Sequence, residues 1–282
     1  MDHADVVALR TASGMPVELM RTWYRTQVFP RHSHDYFTLG VVLRGAGTLW
    51  YRGLERTLQR GDVVVIPPGE VHTGGMGPGS EVLSYLAVHV PPDVFATCVG
   101  GEIGRAATTP DFGTPIIRDR GVSTALRRLD TALRYADDDA ADDALSGAIA
   151  LLVRRHANSP PAPRVATPTQ EPGIVRLTRE VIEECYAENE RTSLHALALL
   201  AGVTPFHLVR VFTQTTGLSP HRYLVQTRVR RASQLLARGV PSSLAAAMTG
   251  FVDQSHLITQ FKRYVGTTPA SYQRCIASGA MR

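Results

Sequence analysis

Two groups of side chains in this 282-residue chain have the types and spacing to do chemistry. The first is imidazole. His32 and His34 stand two apart in an extended segment, which places both rings on one side. A third ring, His72, closes the run Gly61-x5-Pro67-x-Gly69-x2-His72 at the end of a later strand. Three ring nitrogens could hold one divalent metal, line a pocket for a small molecule, or stand structurally at the mouth of a fold. Tyr36, Trp50 and Tyr85 could lend such a pocket aromatic faces or hydroxyls, and each is equally at home in a core. The second group is rich in hydrogen-bond donors. Gln254, Ser255, Thr259, Lys262 and Arg263 share one face of a segment whose other face carries Leu257, Phe261 and Val265, at i, i+4 and i+8. Donors with no acid among them suit phosphates and base edges.

The elements that must position these donors can be read locally. An apolar segment ends at Gly250, Asp253 stands where a helix N-cap belongs, Gly266 stops the helix, and Thr267-Thr268-Pro269 starts the next. Helix, tight glycine turn and donor-faced helix make a helix-turn-helix, whose bland alternative is a helical hairpin in an ordinary core. A repeat decides between them. Thr204-x3-Leu208-x3-Phe212-x4-Gly217-x2-Pro220 has the spacing of Asp253-x3-Leu257-x3-Phe261-x4-Gly266-x2-Pro269, 49 residues further on. A core has no need of two copies of a cap-helix-Gly-Pro unit. A reader placing two helices in successive major-groove turns, about 34 Å apart, does. Thr204 caps the first copy, with Pro205 at the first helical position. A helix is expected over about 174–189, another over 194–200 capped by Ser193, and a long basic one over about 221–237.

Residues 17–90 read differently. Short β-branched runs (17–24, 38–43, 48–53, 56–61, 62–66, 81–90), broken by Gly and Pro, predict an all-β barrel or jelly roll rather than βαβ units. Residues 91–118 read as a loop carrying a short helix. Val122, Leu126, Leu129 and Leu133 then mark a helix to Tyr135, and Asp137-Asp138-Asp139 is placed to cap another bearing Leu145, Ile149 and Leu152. These two helices are expected to pack on the barrel, to pair with a second subunit, or both. Asn158–Gly173 holds five prolines and reads as a semi-stiff linker. The expected domains are thus 1–118, 119–157 as helices, 158–172 as linker, and 173–282 as an all-α domain.

Composition sets outer bounds. A 44% hydrophobic content suits a globular protein. No apolar run reaches the roughly 18 residues of a membrane span, and Met1-Asp2-His3-Ala4-Asp5 lacks the pattern of a signal peptide. No membrane partner is expected. Cys98, Cys185 and Cys275 are odd in number and far apart, which argues for the reducing cytoplasm and against a cysteine zinc site. From Gly173 onward 13 Lys and Arg face 6 Asp and Glu, a net of +7, which leaves −2 for residues 1–172. A sensor joined to a polyanion binder has that asymmetry.

With these residues in view, the second domain resembles the DNA-binding domain of the arabinose-regulator (AraC/XylS-like) family of bacterial transcription regulators, over about residues 174–275. The resemblance is strongest in Gly250-Phe251-Val252-Asp253-Gln254-Ser255-His256-Leu257, Phe261-Lys262-Arg263 and Gly266-Thr267-Thr268-Pro269. Residues from about His32 to Gly74 resemble the family's cupin-type effector domain. The first cupin motif lacks its usual carboxylate, since Phe37, Thr38 and Leu39 stand three to five beyond His34. The departure favours a pocket without metal chemistry, and no cofactor is expected.

The resemblance implies two helix-turn-helix units joined by a long helix on double-stranded promoter DNA. It also implies a small-molecule effector in the barrel, frequent activation with RNA polymerase as partner, and a homodimer formed through the first domain. Carried over, the first reading helix presents Phe206, His207 and Arg210, and the second presents Gln254, Ser255 and Thr259. The family usually has a basic residue where Thr259 stands, which implies more permissive reading by the second unit. The basic long helix, with Lys262 and Arg263, is expected to supply sequence-blind phosphate contacts. Pro241–Met248, poor in large apolar residues, is expected to pack loosely. The rival from another class is a metal-dependent cupin enzyme with a helical accessory domain.

Overall fold

The computed structural model describes residues 3–10, 16–99, 110–135, 138–157 and 171–279. They fall into two compact units. The first comprises described residues within Met1–Val28, Ser33–Arg164 and Cys275–Arg282, and the second those within Phe29–His32 and Val165–Arg274.

Strands dominate the first unit: β1 (His3–Arg10), β2 (Pro16–Trp23), β4 (Phe37–Gly45), β5 (Gly47–Tyr51), β6 (Leu54–Leu58), β7 (Val63–Ile66), β8 (His72–Met76), β9 (Leu83–Val90) and β10 (Ile116–Ile117). β3 (Phe29–His32) precedes β4 in the chain. The strands of this unit form two sheets, ordered β1-β2-β9-β4-β7-β10 and β8-β5-β6, with antiparallel pairing. This is the cupin-like sandwich expected from the sequence. Side-chain alternation divides the larger sheet into two faces. Phe37, Leu39 and Val41, Val63 and Val65, and Leu86, Val88 and Val90 enter one core. Three helices cover that face: α1 (Pro92–Val99), α2 (Arg120–Tyr135) and α3 (Asp138–His156). Val122, Leu126, Leu129 and Leu133 of α2 are buried there, with Leu145, Ile149 and Leu152 of α3. Both helices therefore pack on the barrel. The other face meets the second sheet through Val42, Leu49, Tyr51, Leu58, Ile66 and Leu83. Asp119, not foreseen as a cap, accepts from the backbone N–H of Gly121 and Val122 at the start of α2. Its side chain also takes His156 (2.9 Å) and Arg155 (3.1 Å) from the end of α3, and these partners hold its carboxyl well below the ordinary range.

The second unit is helical: α4 (Gly173–Cys185), α5 (Leu194–Leu200), α6 (Pro205–Thr216), α7 (Pro220–Ala237), α8 (Ser242–Met248), α9 (Gln254–Val265) and, up to Arg274, α10 (Pro269–Gly279). α7 is buried on most sides, with Leu224, Val225, Thr227, Val229, Ala232 and Leu236 all in the interior. In the stretch before Gly250, Ala245 and Ala246 of α8 and Thr249 after it are buried, whereas Leu244 and Met248 are about half exposed. Of the expected linker, 158–170 lie outside the described residues, as does Asp137 of the expected acidic cap. Among the described residues no single helix is long and apolar enough to cross a membrane, though α5 and α6, bent by 88° at their turn, pass that test as a pair.

Candidate nucleic-acid interface and effector pocket

The repeat seen in the sequence is a repeat in space. Thr204 accepts from the His207 N–H at 3.2 Å and Asp253 from the His256 N–H at 2.7 Å, each capping its helix. Leu208 and Phe212 of α6 are completely buried, as are Leu257 and Phe261 of α9. Gly217 and Gly266 end the two helices in the left-handed region, at φ 77° and 83°. Ser219 and Thr268 then cap the helices that follow. A further pair belongs to the pattern, beyond the five positions of the sequence repeat. Tyr223 and Tyr272, also 49 apart, meet Phe212 and Phe261 edge-on at 5.7 and 5.4 Å.

The outward faces of the two copies differ. Phe206 on α6 is 80% exposed. One turn on, Arg210 is exposed and its guanidinium donates to Nδ1 of His207 at 3.4 Å. On α9 the donors are partly spent at home. The Gln254 amide donates to the Ser242 hydroxyl of α8 at 2.6 Å, and the Thr259 hydroxyl to the Ser255 carbonyl at 2.9 Å. Lys262 and Arg263 are exposed in the last turn of α9, where cations also complement the helix dipole.

The long helix corrects an expectation. Arg228 is only 6% exposed, and burial lowers its pKa. It donates to the Tyr186 carbonyl (2.7 Å) and to Asn189 (2.9 Å) in the connection from α4 to α5. Arg230 and Arg231 both reach Glu183 of α4, which also accepts from the hydroxyls of Tyr223 and Thr227. Burial pushes the Glu183 carboxyl up, but Arg230 and these hydroxyls outweigh it and leave the carboxyl below its ordinary value. Arg230 and Arg231 turn toward α4 because an acid 47 and 48 positions earlier claims them, which no local pattern reveals.

In the first unit, His34, Tyr36 and His72 come together. The His34 and Tyr36 rings stack with centroids 4.3 Å apart, and His72 meets His34 edge-on at 4.9 Å. His34 Nδ1 lies 2.7 Å from the Tyr36 carbonyl, which can only accept, so this nitrogen carries the proton. Nε2 is then the acceptor for the Thr38 hydroxyl at 3.1 Å. His72 likewise uses Nδ1 on the Glu70 carbonyl. It begins β8 instead of ending a strand. Two residues not named from the sequence join this cluster. His89 of β9 stacks on Tyr36 at 4.4 Å, and Glu18 of β2 faces His89 at 3.3 Å. The alternation of each with buried neighbours, Val88 and Val90 or Val17 and Leu19, was the signal that could have found them.

The remaining candidates lie elsewhere. Tyr85 shares a strand face with His89 but stands four residues away, roughly 13 Å along the strand. There it joins the apolar cluster between the sheets, and burial raises its hydroxyl pKa. Trp50 alternates with buried Leu49 and Tyr51 and so leaves the opposite face of β5. His32 ends β3, in the second unit, with its ring near Phe29. Among the described residues no group of three or more His, Cys, Asp or Glu is arranged to hold a metal.

Known proteins agree with both halves. Residues 16–153 match the AraC-like ligand binding domain family, and residues 197–274 match a helix-turn-helix domain family. The HTH-type transcriptional regulator YbfI of Bacillus subtilis is 31% identical, over 82% of this chain and 82% of its own length. The HTH-type transcriptional activator RhaR of Pectobacterium carotovorum is 26% identical, over 88% of this chain and 87% of its own. Among solved structures, ToxT from Vibrio cholerae with an unsaturated fatty acid bound superposes with a TM-score of 0.57, covering 98% of this chain and 96% of that one. Apo ToxT gives 0.55, covering 98% and 97%. At 11% and 12% identity these two likenesses establish the fold.

Proposed function

The chain belongs to the AraC family of transcription regulators, and we propose that α6 and α9 read successive major-groove turns of promoter DNA under the control of a small molecule held by the His34–Tyr36–His72–His89 cluster. It is a DNA-binding regulator with a ligand-binding first domain, and not an enzyme, which removes the cupin-enzyme alternative. The observation that carries the finer reading is the doubled cap-helix-glycine unit. Two helices with matched caps, cores and stops present two matched N-termini, whose free N–H groups suit phosphates.

Within this reading Arg210, His207 and Phe206 read base edges, while Ser255, Gln254 and Thr259 contribute less discrimination. Lys262 and Arg263 touch phosphates, and the caps Thr204 and Asp253, with Pro205, set the entry of each helix. Residues 1–118 hold the effector, 119–157 buttress the barrel, 158–172 link, and 173–282 bind DNA. The protein acts in the cytoplasm as a homodimer paired through the first domain. RhaR, by its name an activator, supports activation with RNA polymerase as partner. ToxT with its fatty acid supports occupancy of the first domain by a small molecule.

The test is selection of genomic fragments by the purified full chain, at low and moderate salt, repeated with metabolites extracted from cells. Enrichment of discrete fragments with two sites one helical turn apart, altered by extract, is expected. Uniform recovery of all fragments, or none at low salt, would overturn the reading.

A further inference from the structure

We propose that the effector carries a hydrogen-bond-donating head, an ammonium or hydroxyl group, and that Glu18 receives it. The inference deepens the effector reading above and rests on it. Along β2, Val17 and Leu19 are sealed in the core beneath the helices, and Arg21 reaches Asp130 of α2. Alternation therefore sends Glu18 to the opposite face, between the sheets. The register sets Glu18 opposite His89 on β9, and His89 opposite Thr38 on β4, so the three stand in one row across adjacent strands.

Within that row the donors and acceptors do not balance. Glu18 Oε2 lies 3.3 Å from His89 Nδ1, while Glu18 Oε1 is buried and has no hydrogen-bond partner. A dry carboxylate oxygen without a donor is destabilising, and a ligand that brings one removes the penalty. Thr38 does not bring it. The Tyr36 carbonyl fixes the His34 proton on Nδ1, Nε2 takes the Thr38 hydroxyl proton, and Thr38 is left with its lone pairs to offer. The wall formed by Glu18 and Thr38 thus offers acceptors. A carboxylate head would set like charge against Glu18 and meet no donor from Thr38, whereas an ammonium or hydroxyl satisfies both. Tyr36, against the rings of His34 and His89 at 4.3 and 4.4 Å, stiffens the row, so the acceptors are preset before a ligand arrives.

The test uses three probes with one hydrocarbon body and different heads: benzylamine, benzyl alcohol and benzoate. Each is titrated into the full chain, with affinity and the ring resonances of isotope-labelled His89 as readouts. The amine or the alcohol is expected to bind and to move His89, with benzoate at least tenfold weaker. Glu18→Gln, which keeps the shape, should weaken the better probe at least tenfold and narrow its lead over benzoate. The inference is overturned if benzoate binds the native protein as well as the other two, or if Glu18→Gln leaves their affinities within twofold. Should that variant fail to fold, the ranking on the native chain decides alone. If no probe reaches His89 at all, the placing of the effector site in this cluster is what fails.

Discussion

The two helix-turn-helix copies share a skeleton and differ in what they show outward. Inside, they are near duplicates: cap, two fully buried core residues, left-handed glycine and an edge-on tyrosine recur at a spacing of 49. Outside, α6 offers an exposed phenylalanine and an Arg–His pair, while α9 spends Gln254 on Ser242 and Thr259 on its own backbone. The turns differ too. Gly202 has open space where a Cβ would go, but at Gly250 (φ 76°) a Cβ would lie 2.8 Å from the Ala187 carbonyl oxygen. The lesson is that a duplicated fold can keep caps, core and stops in place while the outward faces diverge.

The comparison breaks first, if it breaks, in the core. Phe212→Ala and Phe261→Ala should each cost about 3–5 kcal/mol in chemical denaturation of the full chain. A twofold difference between them would show that the two shells are not equivalent. Next comes the outer face. Arg210→Ala should weaken binding to a selected operator by about 1–3 kcal/mol and barely affect random duplex. Thr259→Ala should cost less than about 0.5 kcal/mol on either. Equal losses for both variants in mobility-shift titrations would erase the asymmetry.

Removing the caps gives a smaller and symmetric effect. Thr204→Ala and Asp253→Ala are each expected to lower stability by about 1 kcal/mol, read from thermal unfolding. The smallest effect concerns Glu183, which ties α4 to α7 behind both copies. Its folded pKa lies below the ordinary glutamate value, so its stabilising share is complete above that value and fades as pH falls through the folded pKa. Stability curves of the native chain and Glu183→Gln should therefore differ near neutral pH and converge in acid. Parallel curves would show that the four hydrogen-bonding partners of Glu183 contribute no net stabilisation.

What could be read from the sequence followed the distance over which each feature is encoded. Caps, stops and the 49-residue repeat lie within a turn or two of the residues they act on, and Thr204, Asp253, Gly217 and Gly266 do what their types imply. The strands β4, β5, β7 and β9 were legible as β-branched runs, but β1, β3 and β8 carried too weak a pattern. The imidazole cluster was half legible. His34 and His72 stood out by spacing, whereas Glu18 and His89 become neighbours only through the register of β2 on β9. Trp50 was misplaced for want of one step of parity, since Leu49 and Tyr51 on either side claim the interior. The arginines of α7 looked like solvated charge because their partners, Glu183, Tyr186 and Asn189, lie far back along the chain.

Arg228 has one more consequence. From the middle of α7 it grips the connection ahead of α5, so the long helix and the first helix-turn-helix copy are joined by polar bonds as well as by packing. If the two copies enter one duplex as proposed, each such bond resists a change in their spacing. DNA whose sequence curves easily would then be the better fit, and promoter deformability would join base contacts in the selection.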